Sequence, residues 1–260
     1  MSNLATIHRF ERSLGTEESG GYRQRVYDHY VSAFKGRPDA ELLTHQFQRQ
    51  GRIYDGLLGP LVRAGRVQHL LEVACGQGRL LHWADRQGIA RAHGCDASEE
   101  QVAVARELGL AAECTSFQNY LPRFQGQCDL IVGQDIIEHL SRDEAFEFLD
   151  LCFAALRPGG TLFLTTPNGT GWRPGNVVCG DLTHETIFSP QSITLALKLA
   201  NFQDIDVREI PPPLTSAKSC VRRALWSCLR LWPMLLDLVE AWAITSHVLT
   251  RVMAVYAQRP

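Results

Sequence analysis

The 260 residues predict an α/β fold, a mostly parallel sheet covered by helices, on three observations. From Gln68 to Ile210 short apolar runs alternate with amphipathic stretches, as strands buried on both faces and their covering helices do. The first run, LLEVACGQG at 70–78, passes straight into a turn with two glycines. Capping signals then divide the intervening stretches into separate helices. The length suits one large domain, or one domain with an elaborated cap. A composition of 45% hydrophobic and 21% charged residues is that of an ordinary globular chain.

The elements follow in order. Strands are expected at HLLEVA (69–74), ARAHGCD (90–96), LAAECT (110–115), CDLIVG (128–133), GTLFLTT (160–166) and FQDIDVREI (202–210). Ser98 with Gln101, and Ser141 with Glu144, read as capping boxes. Ser189 with Pro190 puts proline at a first helical position. Pro158-Gly159-Gly160 stops one helix and turns into the fifth strand. Residues 1–65 read as a polar, helical N-terminal cap with aromatics at Tyr22, Tyr27, Tyr30, Phe34, Phe47 and Tyr54. That cap serves either as a flap over the front of the sheet or as a layer packed on its edge.

Three prolines at 211–213 end the sixth strand, and 217–248 reads as helices broken near Pro233. Within 217–232 the cations Lys218, Arg222, Arg223 and Arg230 have no acid among them, while Val221, Leu225, Cys228, Leu229 and Trp232 recur at helical spacing. Such a stretch, carrying Trp226 as well, suits an anionic membrane surface, an edge-packed helical pair or a dimer contact. The run after Pro233 holds Asp237, Glu240 and His247, which makes it too short and too charged to span a bilayer. RVMAVYAQRP at 251–260 reads as one more strand. The expected organisation is therefore a cap at 1–65, a core at 66–213, a helical insert at 214–248 and a last core strand at 249–260.

Several function classes fall away on composition. A net charge of −2 and a pI near 6.5 give no general attraction to nucleic acid. The N-terminal stretch has charges and no apolar centre, so no signal peptide is expected and the reading is cytoplasmic. Eight scattered cysteines without a C-x-x-C pair suggest buried, reduced thiols rather than a zinc site.

The glycine turn carries the chemistry. A loop after the first strand of an open α/β sheet lies at the carboxyl edge, where ligands bind at the switch point. Gly76 and Gly78 let a ligand approach the backbone. A dinucleotide site asks for G-x-G-x-x-G, but position 81 is Leu and Glu72 has no place in that pattern. The E-x-A-x-G-x-G arrangement resembles motif I of the class I S-adenosylmethionine (SAM) methyltransferases, with Ala74 standing at the first glycine position. Four further stretches agree in order and spacing: GCDASEEQVAVAR, TSFQNYL, CDLIVGQDIIEHL and LRPGGTLFLTTPN.

The resemblance implies a Rossmann-like, seven-stranded, mostly parallel sheet whose last strand, RVMAVYAQRP, is antiparallel. It implies SAM as cofactor and S-adenosylhomocysteine as product. Glu72, Ala74, Gly76 and Gly78 then hold the methionine end, since a carboxylate offsets the ammonium and the sulfonium. Asp96, 24 residues after Glu72, accepts the ribose hydroxyls, and Ala97 lies against the adenine. Ser116, Phe117 and Gln118 take the adenine amine where the family often has an acid, and Gln134 and Asp135 sit at the rim of the fourth strand.

Methyl transfer to a hydroxyl wants a base. His139 in DIIEHL and His184 in GDLTHETIFSP are the candidates, with Asp181 placed to orient His184. Each histidine also has a purely structural reading, as a loop cap or a surface turn. No metal site is expected, although Asp135, Asp181 and a histidine are the set considered for one. GDLTHETIFSPQSI, the following helix ending in ANF, and VREIPP look like a bacterial group related to the ubiquinone-biosynthesis O-methyltransferases. That group occurs with surface-polysaccharide and glycolipid biosynthesis. The resemblance covers about 22–215 and implies O-methylation of a sugar or glycan hydroxyl, lipid-linked or free. A phenolic or quinone-precursor hydroxyl, an amine, a carboxylate and a silent SAM-binding protein are the alternatives.

Overall fold

The computed structural model describes residues 26, 40–214, 216–242 and 247–260. Most of the expected N-terminal cap, with Tyr22, Tyr27, Tyr30 and Phe34, lies outside the described residues. Seven strands form one sheet: β1 (His69–Val73), β2 (Arg91–Asp96), β3 (Ala112–Cys114), β4 (Cys128–Gln134), β5 (Leu156–Pro167), β6 (Gln203–Glu209) and β7 (Val252–Gln258). Their spatial order is β3-β2-β1-β4-β5-β7-β6. Strands β1 to β5 run parallel, while β7 is antiparallel to both β5 and β6. The Rossmann-like reading of the sequence is therefore the observed architecture.

Helix α1 (Ala40–Leu57) packs on α2 (Arg79–Arg86) beside the sheet. The indole N–H of Trp83 donates to Asp55 at 2.9 Å, Tyr54 lies against the Trp83 ring at 5.8 Å, and the Tyr256 hydroxyl donates to the Leu57 carbonyl. Helices α3 (Glu99–Glu107), α4 (Arg142–Ala155) and α5 (Pro190–Leu199) complete the two layers. Between β6 and β7 the chain forms α6 (Ala217–Leu229) and α7 (Leu231–Ala241). Among the described residues no helix is long and apolar enough to cross a membrane.

Strand β1 explains itself physically. All five of its residues are buried, because β2 and β4 flank it and helices cover both faces. Its apolar side chains divide between the two cores, with Leu71 and Val73 on one face and Leu70 on the other.

Three local expectations change in the structure. Ser98 is the N-cap of α3, but its side chain makes no capping bond: Asp96 Oδ1 takes the Ser98 N–H, and Gln101 turns into the cavity described below. The capping box expected at Ser141 is formed, and Ser189, expected only before a first-position proline, closes a further box with Ser192. Strand β5 starts at Leu156, ahead of the glycines, because Arg157 ion-pairs with Asp129 and ties that end to β4. The cysteines also differ from expectation, since Cys179, Cys220 and Cys228 are exposed on loop and insert.

Candidate functional site

The strand order reverses around β1, and a cavity of about 530 Å³ opens at the carboxyl ends of β1, β2 and β4. Glu72, Ala74, Gly76, Asp96, Ala97, Ser116, Phe117, Gln118, Gln134 and Asp135 line one side of it. His139, Asp181 and His184 line the other. Of the residues singled out by sequence only Gly78 does not line it. Gly78 precedes α2 at φ 80°, and a Cβ there would sit 2.6 Å from Leu110 Cδ1, so this glycine serves the packing of α2. Gly76, at φ 53°, is the one that presents bare backbone to the cavity.

Glu72 is 2% exposed and accepts from Gln134 Nε2 at 3.1 Å through Oε1. Its Oε2 is buried with no partner. Burial, resisted by the Gln134 bond and Arg79, pushes its carboxyl up to about 8. A buried oxygen that lacks a donor is costly, and an ammonium is the donor that relieves both defects. Asp96 accepts the Gly76 N–H through Oδ2 and the Ser98 N–H through Oδ1, both at 2.8 Å, which fixes its carboxylate at the rim. A carboxylate oxygen carries two lone pairs, so each can take more than one donor.

Two non-glycine residues of this rim have left-handed backbone, Ala74 at φ 59° and Asp135 at φ 50°. Such a conformation costs an L-residue roughly 1–2 kcal/mol and collects at functional sites. Thr165 Oγ1 donates to Asp135 at 3.1 Å and helps to hold it there.

On the opposite wall the rings of His139 and His184 meet edge to face, centroids 4.8 Å apart. His184 Nδ1 lies 2.9 Å from the Val178 carbonyl. A carbonyl can only accept, so this Nδ1 carries its proton and Nε2 is left as the basic nitrogen. His139 Nδ1 lies 2.7 Å from Thr183 Oγ1, whose hydroxyl lies 2.6 Å from Asp181 Oδ1. With the Thr183 proton directed to Asp181, its oxygen receives the Nδ1 proton of His139. Asp181 thus orients His139 through Thr183, not His184 directly as its neighbourhood in sequence suggests. Burial alone would raise Asp181, but the Thr183 bonds and the two histidines outweigh it and hold its carboxyl below the ordinary value.

Glu138 completes this wall and was not singled out by sequence. It is 2% exposed, accepts from Thr166 Oγ1 through Oε2, and leaves Oε1 buried without a partner. Burial and the Asp135 charge push it up to about 8. Glu138, His139 and His184 each offer a ligand atom within 4.8 Å of the others, a set able to hold a divalent cation. This is not the set considered from sequence, because Asp135 and Asp181 are committed to Thr165 and Thr183. The readable signal for Glu138 was the one that exposed Glu72: an acid inside an apolar run, IIEHL. Gln50 and Tyr54, which reach the cavity from α1, had no such signal.

Fold and cavity together define a class of protein. Residues 70–160 match the family described as methyltransferase domain. The chain carries a class I SAM-dependent methyltransferase domain, and SAM is the cofactor of that class.

Among named relatives, a ubiquinone biosynthesis O-methyltransferase of Parvibaculum lavamentivorans is 32% identical over 121 residues, covering 44% of this chain and 46% of the relative. The chain thus spans about half the length of that curated relative. A SAM-dependent methyltransferase from Archaeoglobus fulgidus superposes with TM-score 0.59 over 88% of this chain and 99% of its own, at 18% identity. Phosphoethanolamine N-methyltransferase 2 of Haemonchus contortus in complex with S-adenosyl-L-methionine gives TM-score 0.54 at 16% identity, over 90% of this chain and 60% of its own. At those identities the likeness is one of fold.

Proposed function

We propose that the chain transfers a methyl group from SAM to a hydroxyl of a sugar or glycan, lipid-linked or free, with a histidine of the far wall as base. The observation that carries this reading is that Glu72 and Asp96 share one cavity with the His139–His184 pair. The donor supplies a methyl carbon already activated by a sulfonium. The residues of the chain do the rest. Glu72, with its unpartnered Oε2, suits the ammonium; Asp96 suits the ribose hydroxyls; Ala97, Ser116, Phe117 and Gln118 border the space for the base. Alignment of this kind is worth roughly 7–11 kcal/mol. The acceptor proton passes to a histidine Nε2 as the new O–CH₃ bond forms and the S–CH₃ bond breaks, leaving S-adenosylhomocysteine.

His139 is the stronger base candidate, because the Thr183–Asp181 relay fixes its tautomer and stabilises the cation it becomes. We expect His139→Ala to lose about 10²–10⁴ in turnover and His184→Ala to lose less, with SAM affinity unchanged in both. Full turnover in both variants would remove the base and favour an amine or carboxylate acceptor. The acceptor itself is found by mass spectrometry of extracts incubated with labelled SAM; a labelled phenol or quinone precursor instead of a glycan would overturn the substrate class.

A second reading places a divalent cation on Glu138, His139 and His184, favoured by the unpartnered Glu138 Oε1. In that case the histidines would be ligands beside Glu138, and the cation would supply Lewis acidity to the acceptor hydroxyl in place of a histidine base. Chelator treatment decides: activity that vanishes and returns with added cation assigns the metal. The cytoplasmic side of an anionic membrane, touched through 217–232, and a place in surface-polysaccharide synthesis belong to the same proposal. Exposed Lys218 and Arg222 beside exposed Val221 and Leu225 support that contact.

A further inference from the structure

A second cavity, about 1,510 Å³, opens off the first. Gln50, Tyr54, Gln134, Asp135, Val177 and Val252 line both, so the two join at the rim of β4 and the start of β7. Their charge is opposite. Arg52, Arg173, Arg208, Arg222, Arg223 and Arg251 face this second space, against the carboxylates of Asp135 and Glu209.

Local pairing does not cancel the surplus. Arg208 is paired with Asp206, and Glu209 is already engaged by Arg230. Arg223 donates to the neutral carbonyl of Pro212 at 3.0 Å. Arg52, Arg173, Arg222 and Arg251 have no carboxylate partner among the described residues. Unpaired guanidiniums from separate parts of the chain therefore converge on one space in a protein whose net charge is −2. Guanidinium forks match oxyanions, and so many exceed what the two oxygens of one carboxylate can use. A phosphate or diphosphate has enough oxygens. Between the arginines the walls are apolar, with Ile53, Leu57, Trp172, Ile210 and Trp226. Leu214 at the edge is 65% exposed, and Val221, Leu225 and Leu229 continue an exposed apolar stripe along α6.

We propose that this second cavity binds the acceptor through a phosphate or diphosphate ester, the arginines holding the anion while the reacting hydroxyl reaches past Asp135 to the histidines. The reaction rests on the methyltransferase reading; the anion site does not.

The test titrates the full chain with inorganic pyrophosphate, a uridine diphosphate sugar and farnesyl diphosphate. Tryptophan fluorescence and calorimetry follow binding at 50 and 200 mM salt, with S-adenosylhomocysteine titrated in parallel. The diphosphates are expected to bind, to weaken at least tenfold with the rise in salt, and to weaken at least tenfold in the double variant Arg222→Gln, Arg251→Gln, while S-adenosylhomocysteine binds as before. Both substituted residues are exposed, so the fold is not at stake. Farnesyl diphosphate binding tenfold tighter than the sugar nucleotide assigns a lipid-linked acceptor, the reverse order a soluble one, and equal affinities mean that the diphosphate alone is read. Protein that binds S-adenosylhomocysteine but none of the diphosphates, or a double variant that binds them undiminished, overturns the proposal. Bound diphosphate with no S-adenosylhomocysteine binding would sink the methyltransferase reading and leave the anion site standing.

Discussion

The two joined cavities are made by the same sheet edge, yet their charge is opposite. The first is lined by Glu72, Asp96, Asp135, Glu138, Glu144 and Asp181 with Arg79 as its single arginine; the second by six arginines with Asp135 and Glu209. Charges gathered in a cleft with low-dielectric walls focus the field and concentrate ligands of opposite sign. A cationic donor on one side and an anionic acceptor on the other would each be drawn to its own half. Asp135, common to both, sits where they meet in a strained backbone conformation. A net charge of −2 conceals this division, so the arrangement of charge is informative where the total is not.

The comparison can be broken most forcefully in the acidic half. Glu72 is pushed up to about 8, so the empty folded protein keeps its proton at neutral pH. A raised carboxyl contributes stability that is complete below the unfolded value near 4.5 and lost as pH climbs through about 8. Melting of the unliganded protein should therefore fall between pH 6 and 9, and Glu72→Gln should restore on the order of a few kcal/mol at pH 9. Glu138, pushed up to about 8 as well, keeps part of the slope in that variant. Because an ammonium needs the ionised carboxylate, S-adenosylhomocysteine affinity should rise from pH 6 to 8 in the parent and stay flat in Glu72→Gln; equal profiles by calorimetry would separate Glu72 from the ligand.

Next in size, Asp96→Ala removes the acceptor proposed for two hydroxyls and leaves the Gly76 and Ser98 N–H groups without their carboxylate. A loss of roughly 10²–10⁴ in S-adenosylhomocysteine affinity is expected, from two bonds at about 1.5–3 kcal/mol each to a charged group, with pyrophosphate binding unchanged. A smaller effect falls in the basic half. Arg52→Gln should raise the acceptor KM about threefold to tenfold and flatten its salt dependence, leaving the KM for SAM alone; a change in both would mean the cavities do not divide the ligands.

The smallest expected effect concerns the backbone between the halves. Ala74 stands at φ 59°, where glycine costs nothing sterically but loses more freedom on folding. Ala74→Gly should stabilise by up to about 1 kcal/mol in thermal melts, with affinity for the donor product unaltered.

Sequence and structure agree where function is written in one short segment. Glu72, Ala74 and Gly76 lie within five residues, and the physics of a strand turning into a helix places them on the rim whatever the rest of the chain does. Asp96 follows because β2 pairs with β1 in parallel register, Val73 opposite Cys95. The opposite wall was half legible. His139 and His184 could be singled out, but their 4.8 Å approach depends on the loop after β5 folding back so that Glu185 and Thr186 donate to the Glu138 carbonyl. Gly78 stands outside the cavity lining and meets Leu110 instead, a difference the sequence could not show because a glycine that packs and a glycine that admits a ligand look alike there. The arginine cavity was not legible at all. Its members run from position 52 to 251, and no periodicity links residues that only the sheet and the insert bring together. The basic face of 217–232 was visible, but nothing in its spacing marked Arg222 and Arg223 as bordering a cavity.

The helical excursion leaves β6 and returns to β7, two strands already hydrogen-bonded to each other, with Glu209 opposite Met253. Its two ends are therefore neighbours before it begins, and the sheet closes as well around a long detour as around a short turn, since loop length costs little. Selection can redraw that detour like an interchangeable faceplate on a fixed engine, altering what is recognised without touching the parts that deliver the methyl group.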